Sequence, residues 1–237
     1  MVNVTKICIF AVLAVLLLTS FNYSRERFQA KVSFIPGFPQ NEFKANVDSI
    51  GLGGSGDFVY RLKGSLFSVG ASVGMMVYGN ESRKEMFSAE IPEVIVDVTT
   101  RNYILMCHLL LRLQSPKGMV RPYLDGLVGF NYLWTETGVY DRDGFDQKLA
   151  SDVNFSDWTW SCGIGGGLML SIYEKKRSGK ARPFVVFLDI GACYLKGGKA
   201  EYLKEGSVIR EKQRVIYDVS ESSTDLFTIR AGLSFAF

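Results

Sequence analysis

The chain has 237 residues, 47% of them apolar and 22% charged, with 27 Lys and Arg against 24 Asp and Glu. That is too polar for a helical membrane bundle and too apolar for a disordered chain, and the length suits one domain or two small ones. The formal charge of +3 comes without a Lys/Arg stripe, so no nucleic acid is expected as a partner. Gly (24 residues) and aromatics (13%) are in surplus while Cys (4) and Pro (6) are few, a mixture that only residue order can interpret.

Lys6 precedes an unbroken apolar run, Ile7 to Leu18, and polar residues return at Thr19, Ser20 and Asn22. A spanning helix needs about 20 apolar residues. The run therefore reads as a signal-peptide core, with residues 1–20 removed by cleavage somewhere between 20 and 24; a retained anchor is the alternative. No Cys follows closely enough to carry a lipid. Removal leaves Cys107, Cys162 and Cys193, an odd and widely spaced set. It makes neither a disulfide framework nor a metal knuckle, and all three read as small strand residues.

Downstream the apolar period is two. A weak first strand sets Phe28, Ala30, Val32 and Phe34 against Gln29, Lys31 and Ser33, and a loop is expected around Pro36–Ala45. Next, Ile50, Leu52, Phe58, Tyr60 and Leu62 oppose Gly51, Gly53, Asp57 and Arg61. The third strand sets Phe67, Val69, Val73, Met75 and Val77 against Ser68, Gly70, Ser72 and Gly74. In the fourth, Tyr103, Leu105, Cys107, Leu109, Leu111 and Leu113 oppose Asn102, His108, Arg112 and Gln114. The fifth sets Leu124, Val128, Phe130, Tyr132 and Trp134 against Tyr123, Asp125, Gly129 and Asn131. The sixth runs Trp158, Trp160, Cys162, Ile164, Leu168 and Leu170 over Thr159, Ser161, Gly163, Gly165 and Gly167. The seventh sets Phe184, Val186, Leu188, Ile190 and Tyr194 against Asp189, Gly191 and Cys193. The last sets Phe227, Ile229, Leu233, Phe235 and Phe237 against Thr228, Arg230, Gly232 and Ser234. Strict alternation means strands with two unlike faces, and there are eight of them.

Their connections alternate in length. Lys63-Gly64, Ser115–Met119 and Glu174–Ala181 are short, whereas Asn80–Val98, Glu136–Ser156 and Gly197–Ser223 are long. An even strand number, short turns on one rim and long loops on the other define an all-β, eight-stranded antiparallel up-and-down transmembrane barrel over residues 28–237. Both termini fall on the short-turn, periplasmic side. The second face is too poor in bulk to be a solvated surface, so Gly, Ser, Thr and single charges are placed inside and the apolar face against lipid.

With these features the chain resembles the small outer-membrane β-barrels of Gram-negative-type bacteria, the OmpA-type, OmpX-type and opacity-type barrels. The likeness rests on the signal peptide, the alternating segments, the strand opening Arg121-Pro122-Tyr123-Leu124 and the ending Arg230-Ala-Gly-Leu-Ser-Phe-Ala-Phe237. It implies integral outer-membrane residence, the lipid bilayer and the outer-membrane assembly machinery as partners, and Phe235 and Phe237 as the assembly signal. It says little of function.

Motifs that would carry chemistry are weak. Gly51-x-Gly53-x-x-Gly56 matches a dinucleotide fingerprint, but it sits within an alternating strand instead of between a strand and a helix. The sole histidine, His108, points to the interior with no second His to join it, so neither catalysis nor metal binding is expected, and no cofactor. A lumen charge network is expected from Asp57, Arg61, Arg112, Arg121, Asp125, Asp189 and Arg230, because buried charges persist only when paired. Arg112, Arg121 and Asp125 are its expected partners near one turn. Its role is to hold the barrel closed, or else to gate a narrow path.

The long loops at 80–98 and 136–156 are acidic and the turn 174–182 is basic. Tyr202-Leu203 and Val208–Val219 should form a protruding hairpin around Lys204–Ser207, and Asp141–Gly144 a second. Tyr132, Trp134, Trp158, Trp160 and Tyr194 form an expected interface girdle. The expected role is structural or adhesive, through the outer loops and an extracellular or envelope protein partner. A narrow channel and a lipid-modifying enzyme are the alternatives.

Overall fold

The computed structural model describes residues 26–88, 91–140, 148–175, 184–211 and 214–237. The expected signal peptide, the turn at Asp141–Gly144 and most of the basic turn after Glu174 lie outside them. Eight strands close into one antiparallel barrel: β1 (Phe28–Pro39), β2 (Gly51–Arg61), β3 (Phe67–Ser88), β4 (Ile91–Gln114), β5 (Val120–Tyr140), β6 (Lys148–Lys175), β7 (Phe184–Gly197) and β10 (Leu226–Ala236). Two more, β8 (Lys199–Glu211) and β9 (Arg214–Ser223), pair only with each other. One short helix, α1 (Asn41–Asn46), follows β1.

Each barrel strand pairs with its sequence neighbours, and the ring closes where β1 meets β10 in a register running from Gln29 opposite Ala236 to Pro39 opposite Leu226. Full closure leaves no edge and satisfies every ladder amide within the ring. The alternation read from sequence sets the two faces. Val32, Leu109 and Ile164 stand outside at 66%, 69% and 74% exposure, while Lys31, Ser33 and His108, which adjoin the first two in the chain, are buried.

Three features differ from the sequence expectation. The segment around Pro36–Ala45 is not simply a loop: β1 runs to Pro39, and the chain then turns through Asn41 at φ 53 into α1. Asn is the non-glycine residue that best tolerates this left-handed conformation, and its side-chain amide is held by Asp225 Oδ2 at 2.6 Å and the Tyr194 hydroxyl at 3.1 Å. The segment 80–98 is also largely strand, because the β3–β4 ladder continues to Ser88 opposite Ile91, whereas the β5–β6 ladder protrudes to Tyr140 opposite Lys148 on either side of the turn expected at Asp141–Gly144. Finally, Lys204–Ser207 is not the tip of a hairpin. It is an irregularity inside β8, with Gly206 at φ 80, and the chain reverses only beyond Glu211, which pairs with Arg214.

The interior is not uniformly polar either. Ile35, Val59, Met76, Ile104, Met106, Leu110, Leu127, Leu133 and Leu195 also point inward and form one apolar cluster with Phe43, Tyr78 and Tyr202. The sequence reading passed over Ile104, Met106 and Leu110 because their immediate neighbours are equally apolar: Ile104 to Leu111 contains only His108 as a polar marker. Where both faces are apolar, parity has no contrast to report.

Candidate functional site

The lumen has two layers. Toward the short-turn rim, a charge network is built from side chains of several strands. The Arg112 guanidinium on β4 donates through Nε and Nη2 to both carboxylate oxygens of Asp125 on β5, at 2.7 and 2.8 Å, and through Nη2 to Asp57 on β2 at 3.2 Å. This is the bidentate geometry that only a planar guanidinium offers. Asp57 also accepts from the Ser72 hydroxyl at 2.7 Å and lies 3.7 Å from Arg230. Beside it, Lys31 Nζ donates to Asp189 Oδ1 at 2.7 Å and to the Tyr123 hydroxyl at 3.0 Å, while that hydroxyl donates to Asp189 at 2.8 Å. The Tyr123 ring lies under the Arg112 guanidinium, 4.4 Å from its carbon.

Lys31, Arg112 and Arg230 therefore face Asp57, Asp125 and Asp189, a balance of charge in a region where every member is at least nine-tenths buried. Unpaired, any one of them would be prohibitively costly there. Two glycines make room: a Cβ on Gly167 or on Gly191 would come 2.6 Å from the Tyr123 hydroxyl. The backbone of β6 and β7 must be bare at these positions for the phenol to reach Asp189.

Of the residues expected in the network, Arg112, Asp125, Asp57 and Arg230 come together, and Asp189 joins through Lys31. Arg121 does not meet Asp125. It pairs instead with Glu26 at 2.8 Å and stacks 4.6 Å from the Phe187 ring. Arg61 is half-buried toward the same rim, and its Nη1 has no hydrogen-bond partner among the described residues. Sequence reasoning missed Lys31, Tyr123 and Glu26. The first two stood on the polar parity of their strands and could have been found by it; Glu26 precedes the alternation and gave no signal. His108 is 5% exposed and its Nε2 lacks a hydrogen-bond partner among the described residues. No group of three or more metal-ligating side chains occurs among them.

The second layer closes the long-loop rim. Phe43 of α1 is fully buried and meets the rings of Tyr78 and Tyr202 edge-on, with centroids 5.6 and 5.2 Å away, the favoured geometry for aromatic pairs. The β8–β9 hairpin lies over this cluster, with Leu203 buried and the Tyr202 hydroxyl 2.7 Å from Ser222 Oγ. Backbone amides fasten it: Ser223 N–H donates to Glu42 of α1, Glu201 N–H to Asp157 of β6 and Gly206 N–H to Glu81 of β3. The bond from Ser223 holds the Glu42 carboxyl below its usual range, and burial raises the Tyr202 phenol.

On the outside, Trp158 and Trp160 are exposed at 67% and 54%, and Tyr194 at 37%. Tyr132 and Trp134 are half-buried and stacked at 5.5 Å, with Tyr103 stacked on Trp134 at 4.9 Å. At the opposite rim, Phe237 stacks on Phe28 and Phe235 on Phe184.

These features define a class: a closed up-and-down β-barrel with an apolar exterior, a charge-paired interior and an occluded mouth. No protein-family model matches the chain, and no curated protein matches it in sequence. Among solved structures it is similar to Neisserial surface protein A (13% identity, TM-score 0.44), covering 89% of this chain and 97% of that one. It is also similar to Ail, the attachment invasion locus protein of Yersinia pestis, solved with the heparin analogue sucrose octasulfate (15%, TM-score 0.40, covering 90% and 99%). A third is a major outer membrane protein from Thermus thermophilus (12%, TM-score 0.34, covering 89% and 99%).

Proposed function

We propose that this protein is an integral outer-membrane barrel of a Gram-negative-type bacterium. It acts non-catalytically, in a structural or adhesive role through the strands and loops that stand outside the bilayer. Its termini lie in the periplasm and its assembly depends on the terminal Phe235–Phe237 signal. The observation that carries this reading is the combination of a side-chain-filled interior with overlong strands. Among the described residues both lumen layers hold packed side chains, as expected for eight strands, which supports a structural role over a transport route. Meanwhile β3, β4, β5 and β6 contain 22, 24, 21 and 28 residues, whereas crossing a bilayer takes about 9–11. The surplus is a rigid, sheet-built surface, and exposed strand edges are a known means of engaging a partner chain. Residence in a membrane is supported by the apolar wall, since a ring of exposed Val, Leu, Ile and Trp side chains would be unstable in water and is what lipid requires of a closed barrel.

The refolded chain is expected to show a heat-modifiable gel shift, to partition into vesicles and to give no conductance steps in planar bilayers. Replacing residues 199–223 by a short Gly-Ser link should leave the gel shift intact and abolish attachment of cells displaying the protein to a host-cell or envelope surface. Stable conductance in the intact chain would favour a channel, and attachment unchanged by the deletion would remove the hairpin from the adhesive role.

A further inference from the structure

A cavity of about 190 Å³ opens at the long-loop rim, between the turn that follows α1 and β8. Val47 and Asp48 line it from the turn, Lys204 from β8, and Tyr78 of β3 and Asn102 of β4 from the barrel wall. A bulge shapes that wall. Val77 pairs with Tyr103 and Gly79 with Asn102, so Tyr78 is an extra residue in β3, and Tyr78 and Gly79 are buried side by side. Bulges re-aim side chains in this way next to functional sites. Gly79 leaves the space in which the Asn102 amide lies, since a Cβ there would come 2.7 Å from Asn102 Nδ2. The Asn102 carboxamide oxygen accepts from the Thr135 hydroxyl at 2.8 Å, which fixes the amide. Tyr78 is 2% exposed, and its hydroxyl has no hydrogen-bond partner among the described residues. A buried phenol ordinarily finds one.

We propose that this cavity binds one uncharged sugar ring of a surface glycan. The inference deepens the adhesive reading above and rests on it, since that reading places this rim in the extracellular space where glycans reach it. Size comes first: at ~30 Å³ per water the cavity holds about six waters, the space of a single sugar ring. The buried lining then selects against charge. The Tyr78 phenol and the Asn102 carboxamide are neutral, and an ion set against them would lose its hydration without a counter-ion. On the outer side, exposed Asp48 and half-buried Lys204 carry opposite charges, so an anion is repelled by one and a cation by the other. Sugar hydroxyls donate and accept at once and suit both, the carboxylate accepting and the ammonium donating. Val47, 5% exposed, offers an apolar contact to the C–H face of the ring. One such ring is held weakly, but many copies on one cell facing a branched glycan strengthen the hold by avidity.

The test titrates the full chain, refolded in detergent micelles, with methyl glucoside, methyl galactoside and N-acetylglucosamine, read by saturation-transfer NMR of the sugar protons. At least one of these neutral sugars should bind saturably with a Kd of about 1 mM, the scale for so small a ligand. Anionic glucuronate and zwitterionic glycine should bind about tenfold more weakly or not at all. Tyr78→Phe, which keeps the ring against Phe43 and Tyr202, should weaken sugar binding about fivefold. Gly79→Ala, whose Cβ displaces the Asn102 amide, should weaken it at least as much. The gel shift is scored on every variant so that only folded protein is compared; should Gly79→Ala fail to fold, Tyr78→Phe alone decides. The proposal is overturned by the absence of saturable binding of any neutral sugar, by glucuronate or glycine binding as tightly, or by a Kd unchanged in the folded variants. Dephosphorylated lipopolysaccharide core and neutral host-type glycans form separate arms: saturable binding of either supports the site and tells which surface supplies the sugar. Attachment of cells displaying the protein is scored alongside. Attachment without sugar binding strikes the cavity alone, and sugar binding without attachment strikes the adhesive role alone.

Discussion

The two ends of the lumen are closed by differently weighted chemistry. Toward the short-turn rim the interior is held mainly by Arg112, Asp125, Asp57, Lys31, Asp189 and Tyr123, groups that specify distance and direction, with a small apolar cluster of Met169, Val185 and Phe187 beside them. Toward the long-loop rim it is held by Phe43, Tyr78, Tyr202 and the aliphatic cluster below them, which specify volume. A charged layer is unforgiving: losing one member strands another in a place water cannot reach. An apolar layer tolerates exchange of shape but loses stability with every cavity. The first is braced wholly across the ring strands, whereas the second, though built on ring residues, is completed by a six-residue helix and a hairpin laid over the mouth.

The sharpest way to break this contrast is Arg112→Ala. It leaves Asp125 and Asp57 buried without their main cation, and the barrel should lose about 3–5 kcal/mol, read as a lower urea midpoint of the refolded protein in detergent. A stability equal to that of the unmodified chain would show that the network is incidental to closure. Phe43→Ala acts on the other layer and should cost about 3 kcal/mol, but locally. Amide exchange at Val47, whose N–H donates to Phe43 O at 2.8 Å, should accelerate while the urea midpoint of the barrel barely moves. Equal loss of barrel stability would mean that the mouth and the ring unfold as one unit.

Tyr123→Phe removes a single hydroxyl that bridges Lys31 and Asp189, and should cost about 1–2 kcal/mol. Gly191→Ala, whose Cβ would crowd that hydroxyl, should be less damaging when combined with Tyr123→Phe than alone. The smallest effect is a pH dependence confined to the mouth. The Glu42 carboxylate is favoured in the folded state by the Ser223 amide and so titrates below its unfolded value. Its contribution is present above the unfolded pKa and is lost as pH falls through the folded one. Protease cleavage near α1 should therefore rise on acidification past the ordinary carboxylate range, and in Glu42→Gln this pH dependence should vanish.

How legible each layer was in the sequence follows from the same contrast. The charged layer announces itself because a lone Arg112 or Asp125 stands out among outward-facing leucines, and a period of two then gives the strand, its face and its approximate height. Pairing is less accessible. Arg121 and Asp125 are four residues apart in one strand and read as natural neighbours, yet Arg121 reaches Glu26, outside the alternation altogether. The apolar layer was nearly silent: Ile104, Met106 and Leu110 look the same from either face, and Phe43 gives no indication that a six-residue helix will carry it into the mouth. The long connections are legible in the sequence, two of them with their protruding hairpins, but the continuation of strand through 80–98 is not, because Thr, Ser and charged residues populate protruding ladders as readily as irregular connections.

The seam between β1 and β10 has a kinetic consequence. Inside it, the Gln29 amide donates to Ser234 Oγ at 2.6 Å, and the Phe28 and Phe237 backbones exchange hydrogen bonds at 2.9 Å in both directions. These partners lie at opposite ends of the barrel sequence, so they form only once residues 226–237 are available. Sequence-distant pairing of this kind is slow, and until it happens two strand edges remain open to any neighbour. The half-life of that unsealed state, rather than the strength of any one bond across the seam, is then what sets how long the nascent barrel stays open to mispairing.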